Sequence, residues 1–191
     1  MTPKLILTGF MATGKSAVAR VLVRRLSWRL LDCDAEIVKR AGKPIAEIFR
    51  VHGEDYFRAL ERAVIGDIAN DNRRCPLSGR LLPAIVATGG GAIVDLDNFA
   101  ALNRAGIIVC LTARPEVIAR RVGPSAKSRP MLTQGGSPIR KRIAELIAGR
   151  SEAYARAPVC VDTSDLNIDQ AASAVLDAFT AYGQEKWAPS A

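Results

Sequence analysis

Leu5-Ile6-Leu7-Thr8-Gly9-Phe10-Met11-Ala12-Thr13-Gly14-Lys15-Ser16 decides the fold. Three consecutive apolar residues closed by Thr8-Gly9 predict a short strand buried on both faces. The eight residues from Gly9 to Ser16 fit Gly-x-x-x-x-Gly-Lys-(Ser/Thr) in full. In such a loop the backbone N–H groups wrap phosphate oxygens, and the N-terminus of the next helix adds positive potential. That helix is predicted over 15–26, where Val18, Leu22 and Leu26 form one stripe. The plain alternative is a glycine-rich turn that merely links strand to helix. The complete pattern, sitting between a strand and a helix, argues against it.

Working outward, 28–31 predicts a second strand that ends in Asp32-Cys33-Asp34. Helical periodicity returns over 35–40, 46–51 and 56–68. The polar stretch 71–83 predicts a surface loop or insertion with no assigned function. A strand over 84–87 runs into Thr88-Gly89-Gly90-Gly91, followed by a helix over 96–105, a strand over 107–111 and a helix over 116–122. The segment 123–137, rich in Gly, Pro and Ser, predicts a mobile lid. A long helix over 139–155, a last strand over 159–161, a helix over 168–182 and a frayed tail over 183–191 complete the chain. Strands alternating with helices imply right-handed crossovers. The expected fold is therefore α/β: a five-stranded parallel sheet flanked by helices on both faces, in one domain over 1–182.

Composition narrows the function classes. The 191 residues carry 27 basic and 19 acidic side chains, a net charge of +8, with arginine far outnumbering lysine. The guanidinium fork suits carboxylates and phosphates. The basic residues are scattered and aromatics are only 5%, without basic–aromatic interleaving, so nucleic acid is not an expected partner. No apolar run approaches a membrane span, and the N-terminal apolar stretch is too short for a signal-peptide core. A cytoplasmic protein without a membrane partner is expected. Cys33, Cys75, Cys110 and Cys160 form no Cys-x-x-Cys pair, which argues against disulfides and structural zinc.

Elimination indicates which phosphate chemistry is meant. Motor- and GTPase-type relatives of this loop end a later apolar strand in an aspartate, whereas the strands here run into Thr88 and Thr112-Ala113. No Asn-Lys-x-Asp guanine-reading element is present. Only the second strand ends in a pair of carboxylates. Residues i and i+2 of an extended chain point the same way, so Asp32 and Asp34 are expected to face the crevice at the carboxyl ends of the strands. One would order the water shell of a metal while the other takes a hydroxyl proton. The bland alternative is that Asp34 N-caps the next helix. Lys15 would reach the β/γ-phosphates and Ser16 would ligate Mg²⁺. His52 has no triad partner and reads as structural, and Phe49 and Phe57 read as core.

The chain resembles shikimate kinase from Lys4 to about Phe179. The resemblance rests on the Gly9–Ser16 loop, Asp32-x-Asp34 and Gly53-Glu54-x-x-Phe57-Arg58-x-x-Glu61. It continues through Gly89-Gly90-Gly91, Arg129-Pro130-Met131-Leu132 and Arg150-x-x-x-Tyr154. It implies ATP binding by Ala12, Thr13, Gly14, Lys15, Ser16 and Ala17, with Arg121 on adenine and lid Arg129 at the transferring phosphate. Asp34, Arg58, Gly89, Gly90, Gly91 and Arg150 would hold shikimate, and Glu61 would support Arg58. Lys15, Asp34 and Arg129 would be catalytic, and Ser16 with Asp32 would hold Mg²⁺. A monomer that phosphorylates a shikimate hydroxyl from ATP is the expectation. The alternatives are another small-molecule kinase, such as one acting on gluconate or a nucleotide, and a catalytically dead nucleotide-binding homologue. Two departures stand out: Ala12 sits where the family often has glycine, and 71–83 is longer than expected.

Overall fold

A computed structural model describes residues 4–123, Leu132 and 138–187. Its centre is a five-stranded parallel sheet in the order β2-β3-β1-β4-β5. The strands are β1 Lys4–Gly9, β2 Arg29–Asp32, β3 Ala84–Ala87, β4 Gly106–Thr112 and β5 Val159–Asp162. Side chains of successive residues alternate between faces, and β1 shows the consequence. Leu5 and Leu7 enter one core with Val18, Leu22, Ile85 and Val109. Ile6 enters the other with Val86, Ile108 and Cys110. Full burial of each such side chain contributes about 1.5–3 kcal/mol.

Helices α1 Lys15–Leu26 and α8 Ile168–Trp187 cover the Leu5/Leu7 face. The opposite face carries α2 Cys33–Ala41, α3 Ile45–Ala69, α4 Leu96–Ala105, α5 Pro115–Val122 and α6 Ile139–Ala148. A short helix, α7 Ser151–Ala155, follows α6. The chain passes from β1 to the edge strand β2, returns to insert β3, then crosses to the other side of β1 with β4. This reversal beside β1 opens a crevice at the carboxyl ends of the strands, where α/β sheets bind ligands.

Three expectations need correction. The second strand stops at Asp32, and α2 begins at Cys33, so Asp34 lies in the first turn of a helix rather than on an extended segment. The N-cap is Asp32, whose carboxylate accepts the Ala35 N–H at 3.1 Å. The long helix over 139–155 breaks into α6 and α7, with Gly149 and Arg150 at the junction. The tail expected to fray from Gly183 instead stays helical to Trp187.

Two further features matter below. Helix α3 is interrupted at Gly53 (φ 80°, ψ 179°), which accounts for the separate periodic stretches before and after it. The stretch 71–83 folds back on itself through an Arg74–Leu81 bridge. Asp71 pins its base, accepting from Arg29 at 3.1 Å and from Arg73 at 2.7 Å.

Candidate active site

The phosphate loop takes its shape from close backbone approach. A Cβ on Gly9 would come within 2.1 Å of the Leu111 carbonyl oxygen, so no side chain fits there. Gly14 caps α1 in a left-handed conformation without a side-chain hydrogen bond, and the first turn carries no acidic residue. The opening N–H groups of α1 and their positive potential are therefore left for an anion. The Lys15 ammonium donates to the Gly9 and Phe10 carbonyls, both at 2.8 Å, curling over the loop. Buried Thr13 braces it from within, its hydroxyl donating to the Phe10 carbonyl at 2.8 Å. Ala12 sits at φ 60°, a left-handed conformation that costs a side-chain-bearing residue about 1–2 kcal/mol.

Opposite the loop lies the Gly89–Gly91 turn, and what its missing side chains would strike maps the site. A Cβ on Gly90 would meet the Gly9 carbonyl at 3.3 Å and the Met11 amide at 3.4 Å. One on Gly89 would meet Glu61 Oε1 at 2.9 Å and Asp34 Oδ1 at 3.1 Å. One on Gly91 would meet the Arg58 guanidinium at 3.0 Å. Loop, acids and arginine thus converge on a single glycine turn.

Each charged group there is held by a neighbour. Arg58 donates to buried Glu61 at 2.7 Å and to Glu54 at 2.9 Å, with its guanidinium over the Phe57 ring. Burial raises the Glu61 pKa, and the hydrogen bond and charge of Arg58 pull it back down. Arg150, at the α6–α7 break, donates to the Gly90 carbonyl at 3.3 Å and lies over the Phe10 ring. The Tyr154 hydroxyl donates to that same carbonyl at 2.6 Å. Asp34 stays open to solvent at the mouth of the crevice, yet protein surrounds its carboxylate closely enough that lost hydration raises its pKa. The charge of Asp32 adds to this rise and Lys15 opposes it. Such a carboxylate is poised to accept a proton.

The sequence and the fold are matched elsewhere. The family described as shikimate kinase matches residues 11–180. The chain belongs to the shikimate kinase family. A shikimate kinase of Thermoanaerobacter pseudethanolicus is 36% identical over 175 residues, covering 92% of this chain and 95% of the relative. One from Geobacter sulfurreducens is 42% identical over 165 residues, covering 86% and 84%. The solved shikimate kinase of Acinetobacter baumannii in complex with shikimate superposes with a TM-score of 0.80 at 28% identity, covering 98% of this chain and 96% of that one.

The residues singled out from the sequence fall into four groups. Lys15, Asp34, Arg58, Glu61, Gly89–Gly91 and Arg150 gather around one crevice. Ser16 is exposed on the first turn of α1 beside Ala17, and Asp32 lies just before Asp34. Arg121 lies at the far end, donating to the Thr163 hydroxyl at 3.0 Å and approaching the Ala12 carbonyl at 3.5 Å. Arg129 and nearly all of the expected lid over 123–137 lie outside the described residues.

One contributor was missed from the sequence, and two more were quoted there without a role. Thr163, just past β5, donates to the Thr13 carbonyl at 2.9 Å and ties the phosphate loop to β5. Nothing in sequence marks a lone buried threonine. Glu54 could have been found as an i,i+4 partner of Arg58. Tyr154 was part of the family pattern, but its hold on Gly90 depends on contact between distant segments. Cys33 lies between two acids, but burial is the main cause of its raised pKa, with Asp34 and Asp32 second.

Proposed function

We propose that the protein transfers the γ-phosphate of ATP to a ring hydroxyl of shikimate, giving shikimate 3-phosphate and ADP. The observation that carries this is the Gly89–Gly91 turn, seated between the phosphate loop on one side and Asp34, Glu61 and Arg58 on the other. A nucleotide phosphate bound by the loop and a small carboxylate bound by Arg58 and Arg150 would bring the two reacting groups together there. The acceptor hydroxyl oxygen attacks the γ-phosphorus, the bond to the β–γ bridging oxygen breaks, and Asp34 takes the hydroxyl proton. Lys15, released from the loop carbonyls, follows the charge on the phosphoryl oxygens. Arg129 joins it from the lid, by the family pattern. A bidentate arginine gives the acceptor carboxylate directional binding.

Among the described residues no three His, Cys, Asp or Glu side chains cluster as a metal cage. That suits Mg²⁺, which keeps waters and binds through one or two protein groups plus substrate phosphates. Ser16 and Asp32 would hold it, and when bound it would neutralise charge on the β- and γ-phosphates. A coupled ADP-release assay with shikimate, gluconate and nucleoside monophosphates side by side tests the reading. Shikimate is expected to be turned over fastest. Faster turnover of gluconate or a nucleotide would overturn the substrate assignment.

A further inference from the structure

Two cysteines unused by this chemistry lie side by side in the sheet. Cys110 of β4 is the register partner of Cys160 of β5. Neighbouring strands run about 4.8 Å apart, within the separation of roughly 4.4–6.8 Å between Cα atoms that a disulfide spans. Register partners project to the same face, here the face where Cys110 packs with Ile6, Ile108 and Tyr154. The two thiols differ in access: Cys110 is fully buried and Cys160 is exposed. β5 is an edge strand, paired among the described residues with β4 alone, so it has room to adjust.

We propose that Cys110 and Cys160 form a dithiol site for a peroxide, closing a reversible disulfide between β4 and β5. The exposed partner reacts first. It is the one the solvent reaches, and the adjacent Cys110 thiol holds its pKa below the ordinary thiol value. The neighbouring Cys160 together with burial keeps Cys110 protonated. Cys160 sulfur attacks one peroxide oxygen; the S–O bond forms, the O–O bond breaks, and the departing hydroxide becomes water on protonation. Cys110 sulfur then attacks the sulfenic sulfur of Cys160. The S–S bond forms, the S–O bond breaks, and the hydroxyl leaves with the Cys110 proton as a second water. Two electrons pass from the thiols to the peroxide, and a small dithiol reductant reverses the bond by exchange.

The site has a route to the nucleotide loop. β5 ends at Asp162, and the next residue, Thr163, holds both the Thr13 carbonyl and Arg121. Drawing β5 toward β4 moves that clamp, so oxidation is expected to weaken ATP binding severalfold. This does not depend on the identity of the acceptor.

The test uses the full chain carrying Cys75→Ser, because the Cys75 thiol is also favoured as thiolate, through Ser78. After hydrogen peroxide and alkylation, peptide mass spectrometry is expected to find Cys110 linked to Cys160, lost again on adding dithiothreitol. With Cys110→Ser added, Cys160 should persist as a sulfenic acid trapped by dimedone. With Cys160→Ser added, Cys110 should stay reduced. Oxidation of Cys160 that never links to Cys110 would overturn the site. A disulfide that leaves ATP affinity, measured by calorimetry, unchanged would overturn its coupling to the loop.

Discussion

The two sides of the crevice are built by opposite means. The side that would take the nucleotide phosphates is one uninterrupted stretch, Gly9 to Ser16, where the Thr13 and Lys15 side chains brace the loop backbone that would do the binding. The acceptor side is assembled from separate segments around Asp34, Arg58–Glu61, Gly89–Gly91 and Arg150–Tyr154. Side-chain hydrogen bonds that reach as far as 64 residues along the chain join them. Lys15 and Ser16 apart, the first should tolerate substitution wherever the backbone keeps its path. The second fails one charge at a time, and each failure should have its own signature.

Asp34→Asn is the harshest break, because an amide cannot take the acceptor proton. A fall in kcat of about 10²–10⁴-fold is expected, read in the steady-state assay. The same change should raise Tm at neutral pH. The Asp34 pKa is raised in the folded protein, so the folded state holds this proton more tightly than the unfolded one. Asp34 therefore costs stability as pH rises through its titration, and the amide removes that cost. The gain should vanish in melts near pH 3, where the carboxyl is protonated in both states. A lower Tm at neutral pH would contradict the raised pKa.

The two arginines sharpen the contrast next. Arg58→Ala and Arg150→Ala should each weaken acceptor binding roughly ten- to a hundredfold, the loss of a charge-assisted hydrogen bond, with ATP affinity nearly unchanged. They should part company in stability. Arg58→Ala strands buried Glu61 and should cost about 1–3 kcal/mol in denaturant unfolding, recovered largely by adding Glu61→Gln. Arg150→Ala should cost much less. Normal shikimate titrations in both variants would remove the carboxylate role.

Tyr154→Phe probes positioning alone. Without its hydroxyl, the Gly90 carbonyl keeps Arg150 as a donor, drawing that guanidinium away from the acceptor. A severalfold rise in the acceptor KM is expected, with kcat and the ATP KM almost unchanged. An equal rise in both KM values would mark a general structural defect instead. The gentlest change is on the nucleotide side. Ala12→Gly relieves a left-handed alanine and should stabilise the fold by up to about 1 kcal/mol, with little effect on catalysis. A loss of stability would mean that the alanine is not strained.

Sequence showed the two sides unequally, for the same reason. The phosphate loop and the strands at 84–87 and 107–111 were legible because local spacing and continuous apolar runs determine them. Where Asp34 sits was misread, since Asp32 takes the capping role and turns the chain into α2 two residues early. The α6–α7 break was invisible because residues on both sides of Gly149 have helical periodicity. The break instead accompanies the Arg150 and Tyr154 contacts to Gly90, a residue 60 or more positions away. Thr163 gave no signal, because its importance lies in what the fold brings to it.

The interruption of α3 at Gly53 bears on how such an enzyme can change. Its φ of 80° and ψ of 179° lie in a region essentially closed to any residue with a side chain. The break begins the turn that carries Glu54 and Arg58, so it sets where the Arg58 guanidinium, the cation proposed for the acceptor, stands against the Gly89–Gly91 turn. That placement is set by a backbone position with no neighbouring substitution to offer. New acceptor preferences would have to arise by exchanging the groups at 58, 61 and 150, within a pocket whose length is already decided.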